Sequence, residues 1–237
     1  MEYLASLNVI QHTSAEYLGL IEDHLEGRRI RFQYHRPFTE RGTVPTAKSV
    51  TDGLILLGGG PWGSAGPRNL PTLVEEIELA HDCLKRGVPV IGIGLGAQIL
   101  TLAAGGKTHI APLAFEVGEI RCVAPEALNG YLPDSMVSIS YQRDQLELPA
   151  AAQVLYRDAA DAPAVFQIGA NAFGFRGHPG FKPAIVEDLI MEFEESAEGA
   201  AQTLKEARML VPRVEADLIP LMTGLIQLTG WMEQTAS

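Results

Sequence analysis

Apolar and polar positions along the first half of the chain form short strand-like runs that alternate with longer helical ones. LNVIQH and RIRFQYH are predicted to be strands, and the continuously apolar runs DGLILLGGG and PVIGIG are typical of strands buried on both faces. SAEYLGLIEDHLEG, LPTLVEEIELAHDCLKRG and LGAQILTLAAGG are predicted to be helices. We expect the first helix to start at Ser14 as N-cap and to stop at Gly27, and the others to end at Gly87 and Gly105.

The alternation changes after about residue 116. EVGEIRCVA, SMVSISY, AAQVLYRD, PAVFQIG and NAFGFRGHP are short runs separated by turn residues, which predicts further strands, some of them antiparallel. Repeated strand–helix units require a parallel sheet covered by helices on both faces. The predicted fold class is therefore α/β, an open and mostly parallel sheet that these later strands complete or flank.

The last fifty residues have helical periodicity. Val186, Leu189, Ile190 and Phe193 form one apolar stripe, and a second stripe runs through residues 218–231. We divide the chain into a domain over residues 1–185 and a helical extension over residues 186–237. Two arrangements are compatible with the stripes: the extension covers the outer surface of the sheet, or it forms a subunit contact.

Composition and charge exclude several classes of partner. The 237 residues carry a formal net charge of -11, which argues against nucleic acid or an anionic membrane surface as the main partner. No run approaches the roughly 20 apolar residues of a membrane span, and the N-terminus lacks the basic region of a signal peptide. Cys83 and Cys122 form no metal or disulfide framework. We expect a cytoplasmic protein that holds no metal and no cofactor.

Three glycine-containing stretches follow predicted strands, namely GGGPWGS, GIGLGAQ and RGHPG. Ligands of open parallel sheets bind at the carboxyl ends of the strands, so we expect these stretches to converge. The backbone amides of residues 58–60 could hold a phosphate or an oxyanion, or the stretch could be a tight turn without a ligand. Because no Lys-Ser/Thr pair follows, a Walker-type phosphate loop is excluded.

The other two stretches each leave two interpretations open. Residues 92–97 match the G-x-G-x-x-A dinucleotide fingerprint, with Glu116 as a ribose acceptor, although the fingerprint normally lies on the first strand of its unit. His178 could be a general base at a strand end or a structural histidine. The tip of the residue 92–97 turn is Gly94, which offers His178 no nucleophile to activate.

Taken in order, five motifs resemble the class I glutamine amidotransferase family, in particular the stand-alone relatives of the GMP synthase glutaminase domain. GGGPWGS resembles the oxyanion loop of the family, PVIGIGLGAQIL its nucleophile elbow, and FEVG the segment after the elbow helix. SYQRDQLELP resembles the stretch near the glutamine pocket, and FGFRGHPG resembles the G-x-Q-F-H-P-E ending. The resemblance spans roughly residues 8 to 190 and implies a flavodoxin-like sheet.

The resemblance implies a Cys-His-Glu triad that releases ammonia from glutamine through a thioester. Carried onto this sequence, the cysteine falls on Gly94, the histidine on His178 and the glutamate on Gly180. The remaining implied pocket positions are Gly59, Gly60, Leu95, Gln98, Tyr141, Gln142 and Asp144. Glycine at position 94 relaxes the backbone strain that a nucleophile at an elbow tip must carry, so the fold tolerates a change that abolishes the usual chemistry.

The leading hypothesis is therefore a non-catalytic relative of the amidotransferases. It would bind a glutamine-like small molecule, or associate with a synthetase or another enzyme subunit, and we also expect a homo-oligomer. One alternative is altered chemistry, with His178 as base, the amides of Gly59 and Gly60 as oxyanion donors, and Ser64 or Tyr141 as nucleophile. The other alternative is dinucleotide binding through GIGLGA.

Overall fold

The computed structural model describes residues 3–193 and 195–232. The strands are β1 Ala5–Ile10, β2 Ile30–His35, β3 Leu54–Leu56, β4 Val90–Ile93, β5 Lys107–His109, β6 Ala114–Cys122, β7 Ser135–Gln142, β8 Gln145–Glu147, β9 Ala152–Arg157, β10 Pro163–Ile168 and β11 Ala172–Phe175. The helices are α1 Ile21–Glu26, α2 Leu73–Arg86, α3 Leu95–Ala103, α4 Pro183–Phe193 and α5 Ala200–Thr229. In the described ranges, no helix is both long and apolar enough to cross a membrane.

Nine strands form one sheet in the order β2-β1-β3-β4-β11-β10-β9-β6-β7. The strands from β2 to β11 run parallel, and those from β11 to β7 pair antiparallel. Strands β5 and β8 form a separate antiparallel pair. The parallel half brings the carboxyl ends of β1, β3, β4 and β11 to one edge of the sheet, which is where the glycine-containing stretches leave it.

Helices cover both faces of the parallel half. On one face, residues of β1, β3, β4 and β11 pack with α1 and the second half of α5. On the other face, apolar side chains of β3, β4 and β10 pack with α2 and α3. The side chains of successive strand residues point to opposite faces, so the continuously apolar runs of β3 and β4 supply both cores.

The first predicted helix is wrong in its first half. α1 begins at Ile21, and residues 11–20, here called the β1–α1 loop, are irregular. Gly19 has a φ of +63°, which helix geometry does not allow, and several backbone amides of the loop bind partners that are distant in sequence. Leu18 N–H donates to the Tyr34 hydroxyl, and Leu20 N–H donates to the Gly180 carbonyl. Ser14 is therefore not an N-cap.

The C-terminal helices pack on the sheet domain. In α4, Val186 and Leu189 are buried, and Ile190 and Phe193 pack against the same cluster, as the first stripe predicts. The second stripe lies in the main core, and Trp231 N–H donates to the Asp52 carbonyl at 2.8 Å. α4 also reaches the edge of the sheet where the predicted site lies, because the Glu192 carboxylate accepts hydrogen bonds from the amides of Ser14 and Ala15.

Candidate functional site

Gly94 lies at the sharp turn between β4 and α3, with φ +56° and ψ -114°. Its amide donates to the Phe175 carbonyl at 2.8 Å, which ties the turn to β11. A Cβ at this position would lie 3.4 Å from Gly58 Cα and 3.7 Å from the side-chain oxygen of Gln142, which is ordinary van der Waals contact. The turn therefore has space for a side chain, although the positive φ would strain any residue other than glycine.

His178 lies beside this turn with both ring nitrogens occupied. Nδ1 lies 3.1 Å from the Gly180 amide nitrogen, and Nε2 lies 2.8 Å from the Tyr17 carbonyl oxygen. The amide can only donate and the carbonyl can only accept, so Nδ1 is the acceptor and Nε2 carries the proton. Burial lowers the pKa of His178 to about 4, and a second proton on Nδ1 would face the Gly180 N–H. The imidazole is a neutral ring in one fixed tautomer.

Gly180, the position of the triad acid, is packed against the backbone of the β1–α1 loop and the start of α1. Its carbonyl accepts the Leu20 amide at 2.9 Å. A Cβ here would lie 2.8 Å from Ile21 Cγ1 and 2.9 Å from both the Ile21 nitrogen and the Leu18 oxygen. There is no space for a carboxylate side chain, and the Tyr17 carbonyl holds the ring nitrogen of His178 instead.

Glu16 occupies the predicted oxyanion loop. Its Oε2 accepts the Gly60 amide at 3.1 Å, and Oε1 lies 2.1 Å from where a Cβ on Gly58 would be. The carboxyl group is fully buried, and this burial raises its pKa to about 8, against the opposing effects of His12 and the Gly60 amide. The Gly60 amide that would stabilise a developing oxyanion is therefore already bonded within the chain.

A buried pair fixes this loop from the other side. His12 Nδ1 lies 2.8 Å from the Gly58 carbonyl oxygen, and Nε2 lies 2.7 Å from Glu76 Oε2. Burial alone would lower the pKa of His12, but the charge and hydrogen bond of Glu76 raise it overall. Thr72 donates to the other oxygen of Glu76 at 2.6 Å. His12, Glu76 and Thr72 therefore form a hydrogen-bonded chain that ends on the Gly58 carbonyl of the GGG turn.

The space that remains at the turn is a cavity of about 20 Å³. That volume suffices for about one water molecule. Its lining includes Glu16, Gly58, Gly94, Tyr141 and His178, together with side chains of α4. The sequence-predicted nucleophile, base and loop positions are thus brought together, but the β1–α1 loop and α4 fill the volume between them.

The comparisons with known proteins identify the fold and its family. The model of the glutamine amidotransferase class-I family matches residues 16–192. The chain belongs to this family. GMP synthase [glutamine-hydrolyzing] from Aeropyrum pernix is 28% identical over 201 residues, which cover 81% of this chain and 37% of that protein. The carbamoyl phosphate synthase small chain of Ralstonia nicotianae is 32% identical over 165 residues, which cover 65% of this chain and 42% of that one.

Two solved structures have the same fold at low sequence identity. A glutamine amidotransferase from Thermotoga maritima matches with a TM-score of 0.77 at 21% identity, covering 96% of this chain and 99% of that one. One from Methylobacillus flagellatus matches with a TM-score of 0.79 at 20% identity, covering 96% of each chain. The chain spans about two fifths of the length of the curated relatives it matches.

The remaining family positions form internal hydrogen bonds beside the cavity. The Gln98 side chain is buried, accepts from the Ser64 hydroxyl at 2.5 Å and donates to the Arg143 carbonyl at 2.8 Å. The Asp144 carboxylate accepts backbone amides from Ser64, Ala65 and Ala111. These two side chains cross-link the loop after β3 to the turn after β7.

Four other predicted positions, Gly59, Leu95, Tyr141 and Gln142, lie around the site. The Tyr141 hydroxyl donates to the Glu195 carbonyl at 3.1 Å, in the connection between α4 and α5. A Cβ on Gly59 would lie 2.3 Å from Leu95 Cδ2, so the Leu95 side chain covers that glycine. Gln142 Oε1 accepts a 3.4 Å contact from Gln98 Nε2, and the residue lines an adjoining groove.

Neither cysteine replaces the absent nucleophile. Cys83 is buried in α2, where burial raises the pKa of its thiol to about 11. Cys122 is the last residue of β6. The side chains lining the 20 Å³ cavity include neither of them.

Sequence reasoning missed three residues that decide the character of the site, namely Glu16, Tyr17 and Arg176. Glu16 and Tyr17 were assigned to a predicted helix, because SAEYLGLIEDHLEG has helical composition. Gly19 within that run was the available signal for a break. Arg176 directly precedes the Gly-His-Pro motif, and its strand-end position was the available signal.

Proposed function

We propose that this chain is a non-catalytic member of the class I glutamine amidotransferase family. The observation that supports this most directly is the occupation of the site by the β1–α1 loop. Glu16 binds the Gly60 amide, the Tyr17 carbonyl binds His178, and residues 18–21 pack on Gly180. The triad thiol and carboxylate are absent, and the β1–α1 loop occupies the space around their positions.

Altered chemistry with His178 as general base is the less favoured function. A base needs a free lone pair within reach of the proton that it removes. The lone pair of Nδ1 accepts the Gly180 amide, and Nε2 is protonated toward Tyr17. Ser64 donates to Gln98 and Tyr141 donates to Glu195, so neither hydroxyl is directed at His178.

Dinucleotide binding is also less favoured, because two backbone amides at the start of α3 already donate hydrogen bonds within the protein and are not available to a phosphate. The Gly94 amide donates to Phe175 and the Gly96 amide donates to Leu57. A Cβ on Gly96 would lie 2.0 Å from the Leu56 carbonyl oxygen, so this glycine is required by helix–strand packing. Glu116, the candidate ribose acceptor, forms an ion pair with Arg176.

Two non-catalytic roles are compatible with the fold, a binding site for a glutamine-like small molecule and a subunit of a larger assembly. The groove beside the cavity has a volume of about 290 Å³ and is lined by Gln98, Gln142 and Asp144. The relatives matched here are a small chain of carbamoyl phosphate synthase and part of a GMP synthase, so a synthetase partner in the cytoplasm is the natural candidate. Self-association into a homo-oligomer belongs to the same proposal.

Ammonia release from L-glutamine by the purified protein tests the absence of catalysis. We expect no release above the rate of the buffer blank, since loss of a triad nucleophile costs on the order of 10⁶-fold in turnover. The His178→Ala variant serves as the matched control and should give the same background. A rate that exceeds the blank and is lost in His178→Ala would overturn the proposal.

A further inference from the structure

Strand β2 is the last strand at one end of the nine-stranded sheet, so one of its sides has no neighbouring strand. Its other side pairs with β1, and amides that flank β1 donate to the carbonyls of Arg29 and His35. Backbone groups alternate in direction along a strand, so those of Phe32 and Tyr34 point away from β1. In the described ranges, no group of the protein accepts a hydrogen bond from either amide. The outer side of β2 therefore offers donors and acceptors to a further strand.

The segment that contains β2 is basic, although the chain carries a net charge of -11. Residues 28–41 hold five arginines and a single acidic residue, Glu40. In the described part of the chain, none of these arginines forms an ion pair with a carboxylate, and Arg31 and Arg36 donate to neutral side chains. Outside the segment, every arginine except Arg86 pairs with a carboxylate. Here the outer side of β2, together with the arginines of residues 28–41, is called the β2 edge.

The two faces of β2 differ in chemistry. On one face, Arg31 and Gln33 are exposed, and the apolar cluster that α2 and α3 form with the sheet includes no residue of β2. On the other face, Phe32 and Tyr34 are half-buried with their ring centroids 5.8 Å apart, and the Tyr34 hydroxyl donates to Glu22 of α1. A strand added beside β2 would direct alternate side chains to the two faces. Acidic side chains would complement Arg31, and apolar side chains would complement the two rings.

Charge determines which kind of strand can add at the β2 edge. A second copy that paired through its own β2 would place arginines beside arginines, and like charges on paired strands are destabilising. The same arginines attract a strand that carries carboxylates, because opposite charges on paired strands are favourable. A nucleic acid would also match the arginines, but its backbone cannot continue the hydrogen-bond ladder of a sheet. The open backbone and the unpaired arginines together favour an acidic polypeptide.

We propose that the β2 edge binds an extended acidic segment of a partner protein, which adds to the sheet as a further strand with alternating acidic and apolar residues. Its carboxylates would pair with the arginines of residues 28–41, and its apolar side chains would lie beside Phe32 and Tyr34. This inference goes beyond the proposed function, because β1 and β3 separate β2 from β4 and the turn that follows it. It does not require that the chain lack catalysis.

Fluorescence anisotropy with synthetic peptides and the full chain tests this inference. The probe is a labelled peptide of four Glu-Val repeats with blocked termini, measured in buffer of low ionic strength. We expect it to bind, with an affinity that falls as NaCl is added. A Lys-Val peptide of the same length should bind at least about 10-fold more weakly, because its charge is reversed. A Glu-Pro peptide should lose at least about 10-fold as well, because proline has no N–H for the ladder.

Three variants assign the binding to the β2 edge. Arg31→Glu is expected to weaken binding of the Glu-Val peptide about 10-fold and to strengthen binding of the Lys-Val peptide. Arg31→Lys keeps the charge and should change the affinity by no more than about threefold. Lys205→Glu reverses an exposed charge on α5, and as the matched control it should change the affinity less than about twofold. Thermal unfolding checks that each variant is folded.

Hydrogen exchange of the full chain gives a second readout that does not depend on a variant. The amides of Phe32 and Tyr34 should exchange more slowly when the Glu-Val peptide is bound, because they would then donate to the added strand. Exchange of these amides at an unchanged rate under saturating peptide would show that the peptide binds without extending the sheet, and would overturn the proposal.

Four further results would overturn the inference: the Glu-Val peptide does not bind, the Glu-Pro peptide binds as tightly, Arg31→Glu leaves both affinities unchanged, or a single-stranded DNA oligonucleotide of similar length binds more tightly than the Glu-Val peptide. None of them bears on catalysis. Conversely, ammonia release would overturn the proposed lack of catalysis and leave the peptide result standing. The two proposals therefore fail separately.

Discussion

Replacing Gly180 by alanine is expected to lower the free energy of unfolding by about 1–3 kcal/mol. The added Cβ would lie 2.9 Å from two backbone atoms, the Ile21 nitrogen and the Leu18 oxygen, and these cannot move independently of the β1–α1 loop. A glutamate at the same position must place a longer side chain in the same space, so Gly180→Glu should be more destabilising than Gly180→Ala.

Chemical denaturation of Gly180→Ala against Gly118→Ala measures this effect. Gly118 lies in a strand and has open space around its Cβ position, so its substitution should change stability by no more than about 0.5 kcal/mol. Equal stability of the two variants would show that the loop does not pack on Gly180.

The second large effect is a loss of stability as the pH rises, caused by Glu16. The pKa of this carboxyl is about 8 in the folded chain and close to 4.5 when it is exposed. Between these values the folded state keeps a proton that the unfolded state releases, so stability falls as the pH increases through this window. The contribution between pH 6.5 and 8 is about 2 kcal/mol, since one pKa unit corresponds to about 1.4 kcal/mol.

His178 has the opposite effect on the pH dependence of stability, and it acts at lower pH. Its pKa of about 4 lies below the value of 6.5 for an exposed ring, so the unfolded state binds the extra proton. Stability is therefore lost as the pH falls from 6.5 toward 4. His12, whose pKa is raised, adds to the loss at high pH, and Glu192 contributes to the raised pKa of Glu16.

The variant Glu16→Gln isolates the contribution of Glu16. It keeps the shape of the protonated carboxyl group and removes its titration, so the decline in unfolding free energy between pH 6.5 and 8 should become smaller by about 2 kcal/mol. Glu119→Gln, an exposed carboxylate on β6, should follow the unmodified protein. If Glu16→Gln and the unmodified protein decline in parallel, the Glu16 carboxyl is not buried in the oxyanion loop.

The sequence was sufficient for the fold because its periodicity was consistent over long segments. Apolar runs ending in glycine predicted β3 and β4, and basic residues followed by Gly87 predicted the end of α2, where Gly87 adopts φ +68°. The β1–α1 loop could not be predicted in this way. Its conformation depends on Tyr34, Gly180 and Glu192, which are distant in sequence, whereas local composition favoured a helix.

The sequence could predict which residues form the candidate site, but not which groups of the chain are hydrogen-bonded within it. Ordered motifs located Gly94, His178 and Gly180, because their spacing along the chain resembles that of a family. The Gly60 amide is bonded to Glu16 because tertiary packing brings the two residues together. The residues next to Glu16 in the sequence do not predict this contact. A protonated carboxyl group still accepts hydrogen bonds, so the Glu16 carboxyl can accept the Gly60 amide once the loop folds inward.

Glutamine hydrolysis by the Gly94→Cys variant is the measurement that tests the central claim most directly. The Cβ fits at this turn, at a backbone strain of roughly 1–3 kcal/mol that circular dichroism and thermal unfolding can monitor. Because His178 has no free lone pair and Glu16 occupies the Gly60 amide, we expect no ammonia release above the blank even with the thiol restored. Glutamine-dependent ammonia release that is lost again in Gly94→Cys with His178→Ala would contradict the account, since it would mean that only the thiol was missing.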